Sequence, residues 1–292
     1  MAEPLILVTG ANGQLGTTIK ALSVLYPQFQ FRFLTRNDLP VHQPGLVQEY
    51  FKNALPDFCI NCAAYTAVDK AEAEKELAML VNGEAVGVLA TVCKSFNTKL
   101  IHISTDYVFD GTASTPYKEN DTTKAVNYYG ETKLRGEQLC QQNNAGSIII
   151  RTSWVYAENG SNFVKTMMRL MKERSSLNVV NDQLGSPTYA ADLAKLILEI
   201  IAESQNDEKK WVPGIYHYSN EGIISWYDFA VAIKNLTSSN CEVHPVPTSM
   251  YPTPAKRPAY SALDKGKIKS VYHTLVPAWE KSLSICINRM QP

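Results

Sequence analysis

The strongest constraint on this chain lies within its first sixteen residues. An apolar run, Leu5 to Val8, passes through Thr9 into Gly10-Ala-Asn-Gly13-Gln-Leu-Gly16, after which a helical pattern begins. Glycines in such a loop permit a tight turn and let backbone amides approach a pyrophosphate, whose charge the helix N-terminus stabilises. Strand, loop and helix in this order predict a nucleotide site. The spacing is G-x-x-G-x-x-G rather than the G-x-G-x-x-G of dehydrogenases with a separate Rossmann domain.

A nucleotide site of this kind needs a parallel sheet, and the rest of the chain supplies its pattern. Short apolar runs at 5–10, 31–35, 57–64, 99–105 and 146–154 alternate with helical stretches at 14–25, 44–54, 72–96 and 128–143. Uninterrupted apolar strands are those covered by helices on both faces. The rhythm loosens after Trp154, with helices expected near 161–174, 189–204 and 225–236 and a strand near 177–181. The fold class is therefore α/β: a Rossmann-like doubly wound parallel sheet with a smaller α/β C-terminal substrate-binding lobe. The division falls between 1–153, which also receives segments around 177–204, and 154–292. Prolines at 245, 247, 252, 254 and 258 argue against a helix or central strand over 244–260, so that segment should wrap a surface or border a cleft.

The chain balances 28 basic against 28 acidic residues, so no overall field draws it to nucleic acid or membrane. The N-terminal segment reads neither as a secretion signal nor as a membrane span, and a cytoplasmic location is expected. Six scattered cysteines read as free thiols. Cys59 and Cys62 form a C-x-x-C without a second Cys/His pair nearby, and no metal site is expected.

At the end of the second strand an acid often binds the adenosine ribose. Here the chain reads Leu34-Thr35-Arg36-Asn37-Asp38, with the arginine ahead of the acid. An arginine can clamp a 2′-phosphate, so Arg36 favours NADPH, with NADH the lesser option and Asp38 the residue that would serve it. Further on, Tyr129 precedes Lys133 by one helical turn, which puts a phenol and an ammonium on one face. Beside a nicotinamide, Tyr129 can protonate the alkoxide formed when a carbonyl accepts hydride, with Lys133 lowering its pKa and holding the nicotinamide ribose. Thr105, at the carboxyl end of the fourth strand, can hydrogen-bond the carbonyl oxygen, with Ser104 as its rival. Alternation along the strand suggests that only one of the two reaches the substrate. His102, within that strand, reads as a core residue.

The glycine loop, Thr105, Tyr129 and Lys133 together resemble the extended short-chain dehydrogenase/reductase family. The strings "NCAAYTAVDKAE", "STDYVFDG", "YGETKLRGE", "RTSWVYAENGSNFVKTMM", "NDQLGSPTYAADLA" and "PTPAKRPAYSALD" are similar to those of a nucleotide-sugar reductase within it. The resemblance implies reduction of the C4 ketone of dTDP-4-dehydro-L-rhamnose to dTDP-L-rhamnose with NAD(P)H. It implies that Gly10, Asn12, Gly13, Gln14, Leu15 and Gly16 cradle the pyrophosphate and that Ala63, Ala64 and Tyr65 line the cofactor. Thr105, Asp106, Tyr107 and Trp154 would hold the sugar, and Arg257 could pair with the diphosphate. In that family the second strand commonly ends in an acid, and here it does not. The partner implied is a small nucleotide sugar, with a homodimer as the assembly to test. Two other readings share the fold: a non-catalytic NADP-binding module similar to the β subunit of methionine adenosyltransferase, and a nucleotide-sugar epimerase or dehydratase.

Overall fold

The computed structural model describes residues 3–290. In chain order its elements begin with β1 (Leu5–Thr9), α1 (Gln14–Leu22), β2 (Gln30–Leu34), α2 (Pro44–Ala54), β3 (Phe58–Asn61) and α3 (Val68–Ala71). Next comes α4 (Lys75–Met79), which continues through a π-helical turn (Leu80–Glu84) into α5 (Ala85–Ser95), followed by β4 (Lys99–Thr105), α6 (Tyr128–Asn143) and β5 (Ile148–Thr152). The remainder holds β6 (Val155–Tyr156), α7 (Phe163–Glu173), β7 (Ser176–Val180), β8 (Leu184–Gly185), β9 (Thr188–Tyr189) and α8 (Ala190–Asn206). It ends with β10 (Gly214–His217), β11 (Ile224–Ser225), α9 (Trp226–Leu236), β12 (Glu242–Val246), α10 (Gly266–Tyr272) and α11 (Trp279–Met290).

Six parallel strands form the main sheet in the order β2-β1-β3-β4-β5-β10. Along β1, Leu5 and Leu7 join an apolar layer with residues of α2 and α5, while Ile6 and Val8 join the opposite layer with residues of α1 and α8. Both faces are therefore buried at β1, β3 and β5, which is why these strands read as continuous apolar runs, while the edge strand β2 exposes Gln30 and Arg32. The strand order reverses between β1 and β3, the switch point at which such sheets open a crevice beyond their carboxyl ends. A third apolar cluster joins α7, α9 and α11 around Tyr156, Leu177 and Phe229. The stretch Lys75–Ser95 is long and apolar enough to cross a membrane, yet 56% of its most apolar window is buried in the fold, as in a core helix.

Several features depart from the sequence-based expectation, among them helices α10 and α11, over residues for which no element was expected. The sheet edge is completed by β10, a strand that was not expected although Ile215, Tyr216 and Tyr218 behind Pro213-Gly214 are strand-forming residues. Residues 244–246 lie in β12 with Pro245, which agrees with the exclusion of a central strand: β12 pairs only with β7, and an edge strand tolerates a missing N–H. The strand expected over 57–64 ends at Asn61, where the chain leaves the sheet to run along the crevice.

Candidate active site

The glycine loop is fixed by steric limits. Gly10 has φ of +66°, and a Cβ there would lie 2.6 Å from the Ala63 nitrogen. A Cβ on Gly16 would lie 2.5 Å from the Gly10 carbonyl oxygen. Side chains at these positions would push the loop off β3 and α1 off the loop. The Asn61 amide oxygen accepts from Thr9 Oγ1 at 2.7 Å and from the Ala63 N–H at 3.2 Å, tying the ends of β1 and β3 together under the loop.

On the other side of the switch point, α6 begins at Tyr128 because Asn127 caps it. The Asn127 Oδ1 accepts from the Gly130 N–H at 2.8 Å, and Glu72 Oε1 accepts from the Tyr128 N–H at 2.8 Å. Gly130 lets this first turn sit directly on the Asp106–Val108 segment, since a Cβ there would be 2.2 Å from the Tyr107 carbonyl oxygen. Further along, Glu137 and Arg151 form a buried two-pronged ion pair, at 2.9 and 2.7 Å, that fixes α6 on β5.

Glycine loop and helix meet in one cleft of about 900 Å³. Gly10, Asn12, Gly13, Gln14, Leu15, Gly16, Arg36, Ala63, Ala64, Tyr65, Thr105, Asp106, Tyr107, Tyr129, Lys133 and Trp154 all line it. Ser104 lines it as well as Thr105. Arg257 is absent from the lining: its Nη2 donates to Asp69 Oδ2 at 2.8 Å, and a second guanidinium N–H donates to the Ala255 carbonyl at 3.1 Å. Asp38 is absent too, its carboxylate accepting from the Thr35 N–H at 2.8 Å and the Thr35 hydroxyl at 2.6 Å. The adenine end of the cleft thus presents Arg36 and His42 with no carboxylate among its lining residues.

The electrostatics correct one expectation. Burial pushes the Tyr129 phenol up to about 12, Asp106 adds to the rise, and only the Thr105 side chain acts in the opposite sense. Lys133 does not acidify it, because the Lys133 ammonium is turned to the Ile103 carbonyl, to which it donates at 2.7 Å. Burial lowers Lys133 itself to about 8, against the pull of Glu137. Tyr129 is accordingly held as a neutral phenol, the form that can give a proton. Burial raises Asp106 to about 6 despite hydrogen bonds from Ser261 and Thr105.

Among the residues in or behind the cleft that the sequence did not point to, Asn82 and Trp226 carry the most contacts of consequence. Asn82 sits in the π-helical turn, where its Oδ1 accepts from the Tyr65 N–H at 2.8 Å and its Nδ2 donates to the Tyr65 carbonyl at 3.0 Å and to Thr132 Oγ1 at 3.1 Å. It joins the cofactor side of the cleft to the Tyr129 helix, and π-turns recur at functional positions. An asparagine amid the apolar stretch 77–92 was the available signal. Trp226 lines the cleft itself, stacked on Trp154 with centroids 3.5 Å apart and planes at 12°. Trp154 takes a left-handed φ of +47°, and Gly185 leaves the room its indole needs, since a Cβ there would lie 2.8 Å from the ring.

The family model described as RmlD substrate binding domain matches residues 4–292. The chain belongs to the RmlD family. Within it, a dTDP-4-dehydrorhamnose reductase from Burkholderia thailandensis is 40% identical over 97% of this chain and 97% of its own. A crystal structure of a dTDP-4-dehydrorhamnose reductase from Clostridium acetobutylicum aligns with a TM-score of 0.93 at 39% identity, covering 99% of this chain and 100% of that one. Another RmlD relative, the Bacillus anthracis reductase solved in complex with NADP, aligns with a TM-score of 0.93 at 35% identity over 99% and 100% of the two chains. The RmlD match spans sheet and C-terminal lobe alike, so the whole cleft lies within it.

Proposed function

We propose that this chain reduces the C4 ketone of dTDP-4-dehydro-L-rhamnose, giving dTDP-L-rhamnose, with NADPH preferred over NADH. Its family makes it an NAD(P)H-dependent oxidoreductase of nucleotide-sugar biosynthesis. The observation that carries the detailed reading is that the glycine loop, the Thr105/Tyr129/Lys133 set and Trp154 share one cleft. The glycine loop fits a dinucleotide: its backbone approaches Cys62 and Ala63, just beyond β3, so closely that only glycine is tolerated at position 10. When bound, the dinucleotide supplies a hydride from its nicotinamide ring.

Tyr129 gives its phenolic proton to the oxygen of the reduced carbonyl. A phenol near 12 keeps that proton at neutral pH and gives it up to a stronger base such as a forming alkoxide. Thr105 hydrogen-bonds the same oxygen and so holds the carbonyl against Tyr129. Lys133 holds the nicotinamide ribose, for which its ammonium must leave the Ile103 carbonyl or share it. Trp154, backed by Trp226, walls the sugar. Arg36 takes the 2′-phosphate. Arg257 acts on the diphosphate only by releasing Asp69. A cytoplasmic homodimer is the expected form.

The test is to mix the protein with dTDP-4-dehydro-L-rhamnose and NADPH, follow nicotinamide absorbance and identify the sugar formed. Oxidation of one NADPH per dTDP-L-rhamnose is expected. Binding of both ligands without turnover would refute the reaction and return the chain to the non-catalytic class.

A further inference from the structure

Gln14, which lines the cleft, is hydrogen-bonded to Asn162 although 148 positions separate them. Asn162 caps α7, its Oδ1 accepting from the Lys165 N–H at 3.0 Å. Its Nδ2 donates to Gln14 Oε1 at 2.8 Å and to the Ala157 carbonyl at 2.8 Å. The other end of the Gln14 amide donates to the Val155 carbonyl at 3.3 Å. Gly160, with φ of +76°, brings the intervening loop down on Gln14, so that a Cβ there would lie 2.9 Å from Gln14 Cγ. Gly13, Gln14, Gly160 and Ser161 line the cleft together.

Both polar ends of Gln14 are thus spent on the segment that follows Trp154, and none on capping its own helix, whose cap, Gly13, makes no side-chain bond. We propose that Gln14 and Asn162 form a latch between the dinucleotide loop and the substrate lobe, and that Asn162 is a positioning residue through which binding of dinucleotide and of nucleotide sugar is coupled. The identity of the two ligands rests on the function proposed above. A dinucleotide that immobilises the glycine loop and the start of α1 also immobilises, through the latch, the segment 155–162. The second ligand then meets an ordered wall and binds more tightly, and linkage makes the effect reciprocal.

The test uses the full-length protein, NADPH and dTDP. In the wild type, saturating dTDP should tighten NADPH by about fivefold or more, the lower end of ordinary coupling. Asn162→Ser keeps a good helix cap but is too short to reach Gln14. Gln14→Leu keeps the bulk against Gly160, leaves the α7 cap untouched and decides the matter if Asn162→Ser fails to fold. Either variant should bring the coupling factor to about one, and the double variant should lower it no further, as expected of one shared contact. A purely structural role would lower thermal stability without changing the factor. Wild-type coupling in either folded variant, or a factor of one in the wild type, overturns the proposal. NADPH binding with no dTDP binding at all overturns instead the functional reading on which it rests.

Discussion

Replacing Tyr129 by phenylalanine separates catalysis from folding in this cleft. The ring packs edge-on against Tyr107 at 5.6 Å between centroids, and phenylalanine preserves that contact. Desolvation, which raises the phenol to about 12, penalises only the phenolate, so the neutral hydroxyl is removed at the cost of its hydrogen bond with the Thr105 side chain. Deleting such a group should change stability by less than about 1 kcal/mol in either direction. Turnover, by contrast, loses its proton donor, and a positioned acid contributes about 10²–10⁴-fold, or roughly 3–5 kcal/mol of barrier. The assay is steady-state NADPH oxidation beside cofactor titration and a thermal melt. Tyr128→Phe is the control, since Tyr128 does not line the cleft and its ring lies under the Lys75 ammonium at 5.1 Å. Wild-type turnover in Tyr129→Phe, or loss of turnover in Tyr128→Phe, would refute the assignment.

Arg36→Ala should weaken NADPH about tenfold while leaving NADH near its wild-type affinity, because the exposed guanidinium contributes at the low end of the roughly 1.5–3 kcal/mol of a charge-assisted contact. Paired titrations check this, and equal losses for both cofactors would defeat it. Asp106 is raised from an ordinary 3.8 to about 6, so between those values the folded chain holds a proton that the unfolded chain has released. Its contribution is complete below about 3.8 and lost as pH rises through about 6, amounting to at most about 3 kcal/mol. Denaturant midpoints across that range should therefore fall with rising pH in the wild type relative to Asp106→Asn, and parallel curves would contradict the burial argument.

Local chemistry made much of this protein legible in its sequence. Glycines at 10, 13 and 16 behind a buried strand admit few uses besides a close phosphate approach, and the one-turn spacing of Tyr129 and Lys133 fixes their shared face whatever surrounds them. The main strands carried the uninterrupted apolar pattern that burial on both faces demands, and α2 and α6 begin and end where the periodicity placed them. Other features depended on partners distant in the chain. The depth of the cleft decides whether Lys133 acidifies Tyr129, and there desolvation and the Ile103 carbonyl outweigh the spacing. Arg257 looked free for a diphosphate until the fold brought Asp69, 188 positions away, within 2.8 Å. Asn82 and Trp226 are ordinary residues of two helices until a π-turn and a stacked Trp154 give them neighbours. Sequence determines what a residue and its near neighbours along one element can do, because spacing and side-chain chemistry are local. Burial, charge pairing and contact across the cleft arise only when remote segments share one dry volume, and that was decided by the tertiary structure.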